Sequence, residues 1–331
     1  ALLPKVKPGR RKGLRMQAQQ DIGQIISNGP TSKTMRFGAD LGVYQHTLHQ
    51  NALFSDAALA QLLDSYPREK LEIYTVGADQ KSVDKSRRGS AESLHGAQLL
   101  DAVKKGRIWM RLRGANKAAA GYQQIADKMF AELHQMHHGL TTFSHDVGVI
   151  ISSPGLQEFY EFEMPLTALL QVRGEKTLRV WDAREPYIRD EHLEIQALTG
   201  LASAIEFNPI WNEDAQSVAL KPGVMATWAQ NSPHRLVNSD TLNVALYAAF
   251  MTPAALLRAN VIYGNAVMRR KFGLAQRLAP SASPFNLLKM GLARFAKQSN
   301  WYPPSLTTRA VTFHVEPAAP NAVREIVQAA A

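Results

Sequence analysis

Two glutamates placed two residues apart, Glu161 and Glu163, offer the clearest chemistry in this sequence. Residues two apart in a β-strand point to the same face of the sheet, so an extended chain here places both carboxylates side by side. If that face lies in the protein interior, burying two negative charges costs free energy unless a cation, hydrogen bonds or raised pKa values compensate. The pair therefore predicts a compensating partner, which is either a metal ion or a basic side chain.

An ordered set of short motifs surrounds this pair. The motifs are ISSPG at 151–155, FYEFE at 159–163, LLQVRGEK at 169–176, KPG at 221–223 and SPH at 232–234. Lys176 follows Glu163 by thirteen residues, and His234 follows Gly223 by eleven. In this order and spacing, residues 148–252 resemble the JmjC (jumonji-type) cupins, a family of Fe(II)- and 2-oxoglutarate-dependent oxygenases. A looser similarity to bacterial cupin-like proteins extends back to about Phe37.

The resemblance implies a set of site residues. Members of the family bind Fe(II) through a His-x-Asp motif and a later His, so Glu161, Glu163 and His234 would be the metal-binding and catalytic residues here. Lys176 matches the Lys that binds the distal carboxylate of 2-oxoglutarate, and Thr167 could donate a hydrogen bond to a bound carboxylate. Because a Glu replaces the first His, the site carries one extra negative charge. Two carboxylates and one imidazole suit Fe(II) or Mn(II).

Three interpretations of the two carboxylates remain open. They bind a catalytic metal, or Lys176 neutralises Glu161 or Glu163 in a metal-free network of salt bridges, or both side chains bend into solvent at the barrel mouth. Glu158 adds a complication, because it lies three residues before Glu161 and would face the other way on a regular strand. An acid near the cosubstrate position would repel 2-oxoglutarate.

Composition narrows the class of protein. The chain has 331 residues, of which 45% are hydrophobic, so it can hold one large domain with appendages or two domains. It has no cysteine, which excludes disulfides, iron–sulfur clusters and thiol nucleophiles. No run approaches the roughly 18 consecutive apolar residues of a membrane span, and no signal peptide is recognisable. We therefore expect a cytoplasmic protein that is not integral to a membrane.

The net charge of +10 is unevenly distributed. Residues 1–15 hold six Lys or Arg and no acid, and residues 253–310 hold nine and no acid. Residues 16–252 hold 22 basic and 26 acidic residues, a net charge of −4. A mildly acidic body with basic flanks does not favour nucleic acid as the partner, and no helix-turn-helix or aromatic-rich basic motif is present.

The elements that must position the site are predicted from hydrophobic period and turn residues. Eight short extended segments with Gly and Pro turns predict a double-stranded β-helix, or jelly roll, within an α+β fold. They are 147–152, 158–163, 167–173, 176–182, 216–220, 224–229, 234–238 and 242–251. The predicted organisation is a flexible basic arm at 1–20, an N-terminal helical and mixed region at 21–146, the jelly roll at 147–252 and a basic helical region at 253–331.

The basic C-terminal region contains one clear amphipathic helix. It begins after Ser283 and Pro284, and its apolar stripe consists of Phe285, Leu288, Leu292 and Phe295. We expect this stripe to pack on the barrel of its own chain or on a second copy in a homodimer.

Two functional hypotheses follow. The first is an Fe(II)/2-oxoglutarate-dependent oxygenase of the hydroxylase type, acting on a small molecule or peptide that the sequence does not identify. The second is a catalytically inactive pseudo-oxygenase, a cupin that binds an anion or a partner protein. Whether iron or a lysine compensates the two carboxylates separates the two hypotheses.

Overall fold

The computed structural model describes residues 22–30, 35–75, 87–200, 205–274, 283–302 and 310–326. The predicted basic arm at 1–20 lies outside these residues.

Strands and helices alternate in the first half of the described chain, strands dominate the middle and helices dominate the region after residue 252. The strands are β1 (Ile26–Asn28), β2 (Gly42–His46), β3 (Leu71–Thr75), β4 (Arg87–Ser90), β5 (Ile108–Leu112), β6 (Phe143–Ser152), β7 (Leu166–Arg173), β8 (Lys176–Val180), β9 (Gln216–Leu220), β10 (Val224–Thr227), β11 (His234–Asn238), β12 (Asn243–Met251), β13 (Val311–Val315) and β14 (Val323–Glu325). The α-helices are α1 (Asp56–Ser65), α2 (Gly96–Lys105), α3 (Ala115–Ala118), α4 (Ala120–Met136), α5 (Asp190–Thr199), α6 (Pro253–Phe272) and α7 (Phe285–Gln298).

The strands form two sheets within the described residues. The larger sheet has the order β1-β2-β10-β7-β12-β6-β5-β3-β4-β13-β14, and the smaller has the order β11-β8-β9. Between β6 and β12 the chain crosses repeatedly between the two sheets: β6, β7, β10 and β12 lie in the larger sheet, and β8, β9 and β11 lie in the smaller. This is the connectivity of a double-stranded β-helix. The predicted α+β fold with a jelly-roll core is confirmed.

The predicted strand at 158–163 is wrong. This segment joins β11 only through two isolated bridges, Gln157 with Val237 and Glu161 with His234. The chain bends at Tyr160 and again at Met164, ahead of Pro165, so it cannot keep a continuous ladder with β11.

Two apolar clusters show how the larger sheet is buried. Its outer face packs against helices that include α1, α2 and α4, and its inner face packs against the smaller sheet. Strands β6, β7 and β12 are therefore buried on both faces over most of their length. This explains why their sequences are nearly continuous apolar runs rather than alternating ones.

Helix α7 packs on α6 through small residues. Ala293 and Ala296 are fully buried, and a Cβ added at Gly264 of α6 would lie 2.6 Å from the backbone oxygen of Lys289. The close approach of the two helices turns most of the predicted apolar stripe outward: Phe285 is 67% exposed and Phe295 is 55% exposed. Leu292 alone of the four is half-buried against this helix pair. The stripe does not cover the barrel. Among the helices that the structure describes, none is long and apolar enough to cross a membrane.

Candidate metal centre

Glu161, Glu163 and His234 meet in the pocket between the two sheets. The backbone N–H of Glu161 donates to the carbonyl oxygen of His234 at 3.1 Å, and the N–H of His234 donates to that of Glu161 at 2.8 Å. One ligand atom from each of the three side chains lies within 4.8 Å of the other two. Both glutamates line the same pocket, as their spacing predicts.

The imidazole of His234 is held in one orientation. Its Nδ1 lies 3.1 Å from the carbonyl oxygen of Ser232, and since a carbonyl can only accept, Nδ1 carries the hydrogen. This leaves Nε2 directed at Glu163, whose Oε1 is 3.3 Å away. The Trp228 ring packs on the imidazole with its centroid 4.7 Å distant. Histidines that bind metals usually donate their other ring N–H to an acceptor of this kind.

The charges in the site perturb one another. Burial, and then the charge of Glu163, raises the pKa of Glu161 to about 7, although His234 and Arg111 act in the opposite direction. Burial lowers the pKa of His234, but Glu163 and Glu161 outweigh that effect and raise it to about 9. Two carboxylates this close repel each other, so a cation between them would be favoured.

Lys176 does not neutralise either glutamate of the triad. Its Nζ lies 3.1 Å from Oε1 of Glu158, and the two side chains are 0% and 7% exposed. No ion pair joins Lys176 to Glu161 or Glu163 within the described ranges. The interpretation in which Lys176 compensates the pair is therefore wrong. Glu158 would face away from Glu161 on a regular strand, but the segment bends, and Glu158 turns into the pocket with Glu161 and Glu163.

Thr167, the other predicted cosubstrate contact, lies on β7 and lines the same pocket. The residue is 8% exposed, and its hydroxyl oxygen has no hydrogen-bond partner among the residues that the structure describes. The pocket is narrow, with a volume of about 40 Å³. That is room for an ion and a few water molecules, so a larger ligand must displace lining side chains.

Sequence reasoning missed Arg111 as a pocket residue. Arg111 lines the pocket together with Tyr247, and its guanidinium carbon lies 4.7 Å from the centroid of the Tyr247 ring. The alternation of Ile108–Leu112 carried a signal, since Trp109 and Arg111 share one face of that strand. What the sequence could not supply was the pairing of β5 with β6, which brings this face into the barrel.

Comparisons with known proteins give structural matches alone. No family model matches this chain, and no curated protein matches it. A structure of YcfD from Escherichia coli is 14% identical, with coverage of 80% of this chain and 66% of that chain and a TM-score of 0.46. YcfD solved as a ribosomal oxygenase with cobalt and 2-oxoglutarate is 14% identical, with coverage of 82% and 68% and a TM-score of 0.44.

A third structure, YcfD with cobalt and succinic acid, is also 14% identical, covers 82% of this chain and 68% of that chain, and has a TM-score of 0.42. This chain therefore spans about two thirds of the length of the YcfD chains that it matches. With similarity this low, the activity of the chain has to be inferred from its own side chains.

Proposed function

We propose that this chain is a non-haem Fe(II)/2-oxoglutarate-dependent oxygenase of the hydroxylase type with an altered metal site. Glu161, Glu163 and His234 would bind Fe(II) or Mn(II). The observation that carries the proposal is the convergence of three ligand atoms within 4.8 Å, one of them on an imidazole already oriented by Ser232.

The donor set fits a divalent cation. Two carboxylates supply two negative charges, and neutral His234 offers the lone pair of Nε2, which is a combination that Fe(II) and Mn(II) accept. When bound, iron and 2-oxoglutarate together supply the oxidant for hydroxylating a C–H bond. The chain itself orients His234 and surrounds the site with Trp109, Trp228 and Tyr247, which limit the access of water.

We also propose which residues would contact 2-oxoglutarate. The buried hydroxyl of Thr167 has no hydrogen-bond partner among the described residues and can donate to a carboxylate, and Lys176 lies in the barrel interior. Lys176 would meet the cosubstrate as half of an ion pair with Glu158, which weakens its attraction for a second anion.

That ion pair favours the second candidate, an inactive cupin that binds an anion or a partner protein. An occupied lysine and an extra carboxylate in place of an imidazole are two departures that each oppose ordinary 2-oxoglutarate chemistry. The two candidates differ in one measurable respect, because only the oxygenase consumes 2-oxoglutarate when Fe(II) and oxygen are present.

Metal binding is the first test. We expect Mn(II), titrated anaerobically into the full chain and followed by electron paramagnetic resonance, to bind one equivalent at micromolar concentration. Glu161→Gln, Glu163→Gln and His234→Ala should each weaken binding by more than the roughly 10–100-fold that loss of an outer-sphere partner costs. Glu175→Gln, which removes an exposed carboxylate from a turn of the same barrel, should have no effect.

The outcomes of this titration separate the candidates. If the wild-type chain takes up neither Fe(II) nor Mn(II) at micromolar concentration, the metal site is wrong. Tight Fe(II) binding without consumption of 2-oxoglutarate in the aerobic assay supports the inactive cupin. Binding together with consumption supports the oxygenase.

Helix α7 has an exposed apolar face that can contact a partner. We propose that its outward side chains contact a second copy of the chain in a homodimer. Leu287 and Leu288, at 72% and 68% exposure, lie beside Phe285 and Phe295 on the face turned away from α6. An apolar face of this kind on a helix is typical of an interaction surface.

A further inference from the structure

Arg111 is held rigidly at the pocket. It lies on β5, and its guanidinium carbon is 4.7 Å from the centroid of the Tyr247 ring. The ring itself fits over Gly148, where an added Cβ would lie 2.5 Å from Tyr247 and 2.2 Å from the backbone oxygen of Leu112. A cation stacked on an aromatic ring and fixed by packing has little side-chain freedom left to lose when it binds an anion. A ligand larger than this pocket of about 40 Å³ would enter by displacing other lining side chains.

No carboxylate of the described residues hydrogen-bonds this pair. The carboxylate nearest Arg111 among them is that of Glu72, whose Oε2 is 3.9 Å from Nε, beyond hydrogen-bond distance. Glu72 lies closer to Arg113, at 3.4 Å. The Nε of Arg111 and the hydroxyl of Tyr247 are buried, and neither has a hydrogen-bond partner outside this pair in the described part of the chain. Buried polar groups without partners are rare, and several in one pocket point to a ligand.

Lys176, unlike Arg111, already has a carboxylate within hydrogen-bond distance. A ligand carboxylate at Lys176 would lie beside the negative charge of Glu158, since that carboxylate is 3.1 Å from Nζ. At Arg111 a ligand carboxylate would meet a guanidinium that no carboxylate of the described residues hydrogen-bonds, and a phenol hydroxyl that can donate. The charges of Glu72 and Glu161 reach this guanidinium only from beyond hydrogen-bond distance. A guanidinium also matches the planar geometry of a carboxylate.

We propose that Arg111 and Tyr247 form the anion-binding position of this pocket, and that the ligand is a dicarboxylate. Thr167, unpartnered and 8% exposed, supplies a further donor in the same pocket. The identification of the dicarboxylate as 2-oxoglutarate rests on the proposed function, but the anion position does not. The charged contact to the dicarboxylate is then Arg111 on β5, where the resemblance implies Lys176 on β8.

Two probes test this proposal by isothermal titration calorimetry on the full chain. Glutarate has two carboxylates and no 2-oxo group, so it reports on the anion position alone. 2-Oxoglutarate, added anaerobically with Mn(II), reports on the position in the presence of metal. We expect Arg111→Met to weaken the binding of both probes about tenfold or more, since it removes charge-assisted hydrogen bonds. Tyr247→Phe should weaken it roughly 2–10-fold.

A comparison variant removes Lys176 together with its partner. The double variant Lys176→Met/Glu158→Gln leaves no unpaired buried charge and should weaken the binding of both probes less than Arg111→Met does. Loss of binding in the double variant with retention in Arg111→Met would overturn the proposal, as would a wild-type chain that binds neither probe. If Arg111 serves only to balance Glu161, Arg111→Met will change Mn(II) affinity and leave glutarate binding intact, which also overturns it.

The metal titration keeps this result distinct from the proposed function. A chain that binds glutarate through Arg111 but takes up no Mn(II) supports the anion position and rejects the oxygenase. A chain that binds Mn(II) but binds glutarate independently of Arg111 rejects the anion position and leaves the proposed metal site in place. Tyr247→Phe keeps the ring over Gly148 and therefore serves if Arg111→Met does not fold.

Discussion

Among individual residues, Glu158 and Lys176 set the charge of the barrel interior. Their side chains are 7% and 0% exposed, and the carboxylate and ammonium groups lie 3.1 Å apart. A buried pair of this kind gains little net stability, because the desolvation of both charges offsets their attraction. Removing one partner is a different matter, since the other charge then stays buried and uncompensated.

This asymmetry gives a stability prediction. Lys176→Met should lower the free energy of unfolding by about 3–5 kcal/mol, the usual effect of breaking a buried ion pair. Adding Glu158→Gln should recover much of that loss, because it removes the unpaired charge. Urea denaturation of the single and double variants checks both values. Lys221→Met, at an exposed position of a neighbouring turn, should stay within about 0.5 kcal/mol of wild type. A single variant as stable as that control would contradict the prediction.

At the level of elements, Gly148 on β6 lets groups of the two neighbouring strands, β5 and β12, approach β6 closely, because residue 148 has no side chain. Tyr247 pairs with Gly148 on β6, and its ring occupies the space that a Cβ would fill. The same glycine lies close to the backbone oxygen of Leu112 on β5. The inner face of the larger sheet therefore depends on this one position for its local packing.

Gly148→Ala should destabilise the chain by about 1–3 kcal/mol, the usual cost of overpacking a well-filled core. A matched substitution elsewhere has the opposite sign: Gly291 lies in α7 with nothing within 4 Å of its Cβ position, so Gly291→Ala should stabilise by about 0.5–1 kcal/mol. Urea denaturation measures both. Equal stability of Gly148→Ala and wild type would show that the Tyr247 ring is not confined as described.

Local sequence signals predict most of the jelly-roll strands but not the segment at 158–163. Seven of the eight predicted jelly-roll segments are strands. Short apolar segments bounded by turns such as Pro222-Gly223 are local signals, and Gly223 has the left-handed φ of +94°. The shared face of Glu161 and Glu163 was predictable from strand geometry, whereas His234 was expected only from the resemblance to JmjC cupins. The segment at 158–163 was not predictable, since its bends depend on how it meets β11, and those bends turn Glu158 inward.

The face on which helix α7 packs could not be predicted from the sequence. Helical period correctly places Phe285, Leu288 and Phe295 near one face, but period does not say which face finds a partner. Small side chains and Gly264 permit a close helix–helix contact, so α6 packs on the alanine face instead. A larger hydrophobic stripe was then left exposed.

For the whole molecule, the distribution of charge bears on assembly. Residues 16–252 carry a net charge of −4, whereas residues 253–310 hold nine basic residues and no acid. The exposed face of α7 lies in this basic region and includes Arg294. Two copies that meet through α7 would bring like charges together, while burying apolar side chains that are each worth about 1.5–3 kcal/mol when fully buried.

These opposed effects predict how the homodimer responds to salt and to mutation. Because added salt screens repulsion between exposed like charges, the dimer should become tighter when the ionic strength rises from about 0.05 M to about 0.5 M. Leu288→Glu should shift the chain to monomer, since it places a charge in the apolar contact, whereas Gln298→Glu on the same helix should leave the dimer in place. Sedimentation equilibrium measures both effects. A wild-type chain that remains monomeric at every salt concentration would exclude the dimer. Binding of α7 to anionic vesicles, weakened by salt, would assign the exposed face to a lipid surface instead, because attraction between basic residues and anionic headgroups is screened in the opposite sense.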